Sequence, residues 1–168
     1  MNFHRIWRHV LTIIGSPGVV AHELAHLFFC ICARVKVHKV KLFQFGETAG
    51  YVIHDEPRRF DQAFLISFGP LLINSSASLF LFSQLRGPYQ LKQLVFLWFG
   101  IVIGLHAIPS IGDAKTLFQI ANSRVWRNPL VLISYPFILI LYILNILKRL
   151  HIDIVYVALL FYLGRIYF

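Results

Sequence analysis

Long apolar runs separated by short polar segments make up most of this chain of 168 residues. A helix rises about 1.5 Å per residue, so about 20 apolar residues are needed to cross the hydrocarbon core of a bilayer. Five runs approach or reach that length, and the last is short and contains Arg165. The pattern predicts an all-α, multi-pass membrane protein with about five transmembrane helices. The predicted spans are residues 10–33, 62–83, 93–112, 129–147 and 152–168.

A different pattern occupies the segment between the first two runs. Residues 34–40 and 42–54 alternate apolar and polar side chains over short stretches, and the alternation is broken near Gly46 and Gly50. A period of two residues is typical of β-strands. We therefore expect a short strand-like hairpin between the first two transmembrane helices.

Composition supports a membrane location and argues against a nucleic-acid partner. Hydrophobic residues make up 58% of the chain and charged residues only 14%, which is more apolar than a soluble domain of this size requires. The net charge is +9, but the basic residues cluster between the apolar runs and follow no helix face. An anionic lipid bilayer accounts for these basic loops without nucleic acid.

The distribution of Lys and Arg predicts an orientation in the cell membrane. The N-terminus and the second and fourth loops carry six of these residues, and the opposite side carries ten. By the positive-inside rule, the N-terminus lies outside and the first and third loops lie in the cytoplasm.

The first apolar run contains the motif His22-Glu23-Leu24-Ala25-His26. Histidines four residues apart project from the same helix face, so both imidazoles can reach one zinc ion at about 2.0 to 2.1 Å. Glu23 can take a proton from a zinc-activated water and return it to a leaving amine. Ionisable groups inside a span cost roughly 2.5 to 3.5 kcal/mol each on insertion scales, so three within five residues favour metal binding over a structural polar cluster.

A catalytic zinc site needs a third protein ligand and an open position. Asp113 is our choice, because it alone among the remaining acidic residues ends a predicted span on the side of the metal-binding half of the first helix. Pro109 and Gly112 would loosen or end the helix of the third span and let the Asp113 carboxylate turn inward. The alternative is an ordinary helix-terminal Asp at the interface. Cys30 lies about 12 Å along the helix from His22 and is expected to pack instead. The other acidic residues are Glu47, Asp55, Glu56, Asp61 and Asp153.

Three further polar residues are candidates for substrate binding, each with an alternative. His106 could support the site as a donor or a gate, or could be a hydrogen-bonded interhelical histidine. His54 could face the site from the loop, or could be solvated. Asn74 either joins helices by a hydrogen bond or presents its amide to a substrate carbonyl.

Taken together, the HELAH motif, Gly69-Pro70 followed by Asn74, and Asp113 resemble the site-2 protease family of intramembrane metalloproteases over about residues 10–120. The resemblance implies a three-helix metalloprotease core, with Zn²⁺ held by His22, His26 and Asp113, Glu23 as the base, and Asn74 near the substrate. The hairpin resembles that family's membrane-associated sheet, to which a substrate segment can add as a strand. Residues 1–168 are then a single membrane domain, with accessory transmembrane helices in 129–168.

The expected function is that of an intramembrane zinc-dependent endopeptidase acting on a transmembrane protein substrate. The alternative is a non-proteolytic metal-binding membrane protein, either a scaffold or a transporter. Glu23 discriminates between the two, because a structural zinc site does not need a carboxylate beside its ligand. The sequence leaves the oligomeric state open, a homo-oligomer included.

Overall fold

Six α-helices and a two-stranded sheet form the part of the chain that the computed structural model describes, which is residues 3–45, 49–87, 90–126 and 129–167. Two short 3-10 segments, Pro129–Ser134 and Lys148–Leu150, flank the fifth helix. The elements in chain order are α1 (Phe3–Cys32), β1 (Val37–Lys41), β2 (Tyr51–His54), α2 (Phe60–Ser83), α3 (Leu91–Leu105), α4 (Ile111–Arg124), α5 (Tyr135–Leu147) and α6 (Ile152–Ile166).

Three helical stretches among the described residues are long and apolar enough to cross a membrane: His9–Cys32, Phe60–Ser83 and Val131–Leu150. They coincide with three of the five predicted spans, so the expected all-α, membrane-like class is confirmed. Helices α3 and α6 have 15 residues each, or about 22 Å, which is shorter than the roughly 30 Å hydrocarbon core. Residue 168, where the last predicted span ends, lies outside the described residues.

The hydropathy of the third apolar run predicts one helix that continues to residue 112. The structure differs. Helix α3 ends at Leu105, and α4 begins only at Ile111. Pro109 has no N–H for a helix hydrogen bond and disfavours helical geometry at the preceding residue, so the chain leaves the helix here. Helix α4 itself, with 14 residues, was not predicted, because its apolar residues form only one buried face. That face consists of Ala114, Leu117, Ile120 and Ala121.

The predicted hairpin is present as an antiparallel pair of strands, shorter than the alternating segments. Val37 pairs with His54 and Lys41 with Tyr51, and an irregularity between Val37 and Lys39 leaves His38 without a partner in this register. Residues 46–48, which include the predicted break at Gly46 and also Glu47, lie outside the described residues.

Helix α2 lies at the centre, packed against α1, α3, α4 and α6. Helices α1 and α3 also approach closely, and Gly18 makes this possible, since a Cβ atom there would overlap the Val102 carbonyl of α3. His22 is one turn further along α1. The close contact therefore brings His22 to the C-terminal end of α3.

Candidate metal centre

His22 and His26 project from the same face of α1, as their spacing predicts. Their Nε2 atoms are 3.2 Å apart, and Asp113 Oδ1 lies 3.5 Å from His26 Nε2. All three candidate ligand atoms lie within 4.8 Å of one another. Two ligand atoms at about 2.0 to 2.1 Å from one tetrahedral ion are about 3.3 Å apart, so this group could hold a metal ion.

The second nitrogen of each imidazole is fixed by a backbone carbonyl. His22 Nδ1 donates to the His106 carbonyl at 2.6 Å, and His26 Nδ1 donates to the Ile66 carbonyl at 3.0 Å. A carbonyl oxygen can only accept, so each Nδ1 carries a hydrogen, and in the neutral form each ring presents a lone pair at Nε2. Hydrogen bonds of this kind orient histidine ligands in metal sites. Two lone pairs and a carboxylate oxygen thus converge, an arrangement that a cation stabilises.

Asp113 lies in the first turn of α4 and not at the end of the third span, where the sequence predicts it. The start of α4 holds its side chain in place. Its Oδ2 accepts hydrogen bonds from the Ser110 amide at 2.8 Å and from Ser110 Oγ at 2.7 Å. In return, the Asp113 amide donates to Ser110 Oγ at 3.2 Å, which completes a capping box. The cap occupies Oδ2, while Oδ1 is the atom nearest His26. Asp113 is therefore both a helix-capping residue and a candidate ligand.

Cys30 takes no part in this group. Its side chain is fully buried and packs with Val35 and Ile66 in an apolar cluster between α1 and α2. The prediction that Cys30 packs is confirmed.

Glu23 lies beside the candidate ligands and is 9% exposed. It shares with them the wall of a cavity of about 470 Å³. The hairpin covers it closely, since a Cβ atom at Gly50 would lie 2.8 Å from Glu23 Cγ and 2.8 Å from the Leu42 carbonyl. Only glycine permits this approach without a shift of the loop or of Glu23.

The structure places His54 and His106 in the wall of the same cavity. His54 enters from the end of β2, and its Nδ1 donates to the Asp55 carbonyl at 2.7 Å. His106 caps α3, and its Nδ1 donates to the Val102 carbonyl of its own helix at 2.8 Å. Both rings thus have one nitrogen committed to the backbone, and both lie where a molecule in the cavity would meet them.

Asn74 is fully buried, and it is not among the residues that line the cavity. Its Nδ2 donates at 3.1 Å to the His106 carbonyl, the same oxygen that receives His22 Nδ1. The amide therefore joins α2 to the end of α3 and supports the group that orients His22. Of the two readings of Asn74, the contacts match a hydrogen bond between helices.

Lys148 is a cavity residue that the sequence did not single out. It lies in the Lys148–Leu150 segment, and its Nζ donates to the Ile108 carbonyl at 2.8 Å. No sequence pattern connects it with the HELAH motif. Ser110 could have been found, because Ser followed three residues later by an acidic residue is typical of a capping box.

No protein-family model, curated protein or solved structure matches the chain. Two imidazoles and a carboxylate are a ligand set that zinc accepts in sites that keep an open position. Imidazole also suits copper, iron and nickel, so these donors indicate a transition metal without selecting the element.

Proposed function

We propose that this chain is an intramembrane zinc-dependent endopeptidase, similar to the site-2 proteases, that cleaves a transmembrane protein substrate. The observation that carries the proposal is the position of Glu23, a buried carboxylate in the same cavity wall as His22, His26 and Asp113. A site that only stores or transports a metal does not require that carboxylate.

Each residue has a distinct role in this mechanism. His22, His26 and Asp113 would hold Zn²⁺, which when bound supplies a Lewis acid that polarises the scissile carbonyl and activates water. Glu23 takes the proton from the attacking water as the new C–O bond forms, and returns it to the amine as the C–N bond breaks. His54 and His106 line the cavity and would contact the substrate chain, while Asn74 acts indirectly by holding the His106 carbonyl.

We also propose an arrangement in the membrane. Helices α1 and α2 would each cross the cell membrane. The end of α3 meets the end of α5 where Lys148 Nζ donates to the Ile108 carbonyl, so these two ends lie at one depth and five alternating spans do not fit this fold. We propose instead that α3 followed by α4, and α5 followed by α6, form the two remaining crossings. Residues 34–59 and 124–127 carry eight Lys and Arg residues, against four in residues 1–9 and 84–92, which favours an outside N-terminus and a metal centre toward the cytoplasmic side.

The test is the Glu23→Gln variant, assayed for zinc content and for cleavage of a panel of co-expressed single-span membrane proteins. Because Gln cannot accept the proton, we expect stoichiometric zinc but a loss of cleavage of about 10²- to 10⁴-fold. Glu56→Gln is the matched control, since Glu56 is exposed in the loop before α2 and should retain full activity.

Unchanged cleavage by Glu23→Gln would overturn the mechanism. A wild-type protein that binds zinc but cleaves no member of the panel would favour the alternative function of a metal-binding scaffold or transporter.

A further inference from the structure

The connection between α3 and α4, residues 106–110, supports two of the three candidate ligands. The His106 carbonyl orients His22, and Ser110 holds the Asp113 carboxylate. The connection has no helix or strand of its own. Its backbone path therefore decides whether Asp113 meets the histidines.

This connection is buried, so its carbonyls need donors from elsewhere. Ala107 and Ile108 are 0% and 1% exposed. Pro109 interrupts the helix that would otherwise supply amide donors. Two of the carbonyls are instead bonded from the C-terminal helices: Ile108 accepts from Lys148 Nζ at 2.8 Å, and Pro109 accepts from Asn145 Nδ2 at 3.1 Å.

Asn145 and Lys148 are three residues apart, which places them on one side of the end of α5. A lysine near the end of a membrane helix ordinarily extends its ammonium group toward water. Lys148 is only half-exposed and directs its ammonium group to a backbone carbonyl. Asn145 is also tied to its own helix, through the Leu141 carbonyl at 2.9 Å, so its donor is rigidly placed.

Helix α5, which carries Asn145 and ends just before Lys148, is itself fixed to the core, and so is α6 after it. Ile138 and Leu141 of α5 pack with Leu117 of α4, and Val157 and Leu160 of α6 pack with Phe82 of α2. Displacement of the Asn145 and Lys148 donors would therefore disturb the packing of α5 on α4.

We infer that Asn145 and Lys148 are positioning residues of the metal centre, which clamp the α3–α4 connection so that Asp113 and the His106 carbonyl meet the two histidines. This inference rests on the metal site of the proposed function, but not on proteolysis. It gives the C-terminal helices a role, since the ligand set depends on donors that lie outside residues 10–120.

The test measures zinc affinity by chelator competition, and the ligand-field spectrum of the cobalt-substituted protein, on the purified full chain in detergent. The variants are Lys148→Met, Asn145→Leu and the conservative Lys148→Arg. We expect about 10- to 100-fold weaker zinc binding and an altered cobalt spectrum for the first two, with substantial recovery in Lys148→Arg. Arg149→Met is the matched control, because it removes an exposed cation from the same turn and should match the wild type.

Wild-type affinity and spectrum in both Lys148→Met and Asn145→Leu would overturn the inference, as would a wild-type chain that binds neither metal. Equal weakening by Arg149→Met would also overturn it, since the effect would then follow charge and not the clamp. If Lys148→Met loses its helical circular dichroism, Asn145→Leu and Lys148→Arg decide the question. A chain that shows the expected metal dependence but cleaves no substrate would contradict only the protease proposal.

Discussion

Among the described residues, two His–Asp pairs differ in geometry and in exposure. His38 Nε2 and Asp55 Oδ1 in the hairpin are 2.6 Å apart, with side chains 44% and 56% exposed. His26 Nε2 and Asp113 Oδ1 are 3.5 Å apart, with side chains 10% and 20% exposed. The shorter pair has the distance of a direct hydrogen bond, whereas the longer pair has the separation of two ligands around one ion.

In the buried pair, the second nitrogen of the histidine is already hydrogen-bonded. His26 commits Nδ1–H to the Ile66 carbonyl, so a ring without a hydrogen on Nε2 has none to donate to Asp113. His38 bonds Asp55 directly, and this hydrogen bond, followed by the charges of His38, Lys36 and Arg58, lowers the pKa of Asp55 below its ordinary value. In this protein, the short distance therefore belongs to an exposed hydrogen-bonded pair, whereas the longer distance fits two ligands that share one ion.

The largest expected effect is on zinc affinity, which should depend on Asp113 and not on Asp55. Asp113→Ala removes a proposed ligand, so zinc affinity should fall by more than about 100-fold, beyond the range seen when only a supporting hydrogen bond is lost. Chelator competition on the purified protein measures this, with Asp55→Ala as the matched control. Equal affinities in the two variants would remove Asp113 from the ligand set.

The second effect is on cleavage, and it tests the close packing of the hairpin residue Gly50 against Glu23. Gly50→Ala should displace Glu23 or the loop, because the new Cβ atom would lie 2.8 Å from Glu23 Cγ. We expect cleavage to fall by about 10- to 100-fold while zinc affinity stays unchanged, since small misplacements of reacting groups have effects of that size. Turnover and zinc content measured together check this.

Gly15→Ala serves as the control for that variant, because its Cβ atom would meet only His106 Cε1, at 3.8 Å. If both glycine variants lose activity equally, the close approach of the hairpin to Glu23 has no special role.

The smallest effect is expected at the exposed pair. His38→Ala should raise the pKa of Asp55 toward its ordinary value of 3.8, because both the hydrogen bond and the charge of His38 are removed. As the pKa of Asp55 is lowered in the folded state, its stabilising contribution is present above about pH 4 and is lost as the pH falls through the lowered value. A carboxyl NMR titration of wild type and variant measures the change, and an unmoved midpoint would contradict the assignment of its cause.

Several features followed from the sequence because they depend on local periodicity. The spacing of His22 and His26 places both on one face of any helix, and the structure confirms it. The apolar runs predicted the three long helices, and the alternation predicted the hairpin. Asp113 was predicted to join the histidines by elimination, and its side chain does lie beside them.

Other features depend on contacts between distant segments, and no local pattern encodes them. The hydropathy of the third run did not indicate the break around Pro109. The mean hydropathy of a segment does not depend on whether one residue lacks an amide donor. The break leaves buried carbonyls without helical amide donors. Side chains of α1, α2 and the end of α5 donate to them instead: His22, Asn74, Asn145 and Lys148.

The sequence alone therefore determined which side chains could bind a metal, since residue type and helical spacing are local properties. Only the tertiary structure decided that His22 and His26 present their Nε2 lone pairs and that Asp113 presents one oxygen to them. The physical reason is that backbone carbonyls outside α1 orient the two histidines, while Asp113 is oriented by the cap of its own helix. The three side chains meet only when α1, α2 and α4 pack.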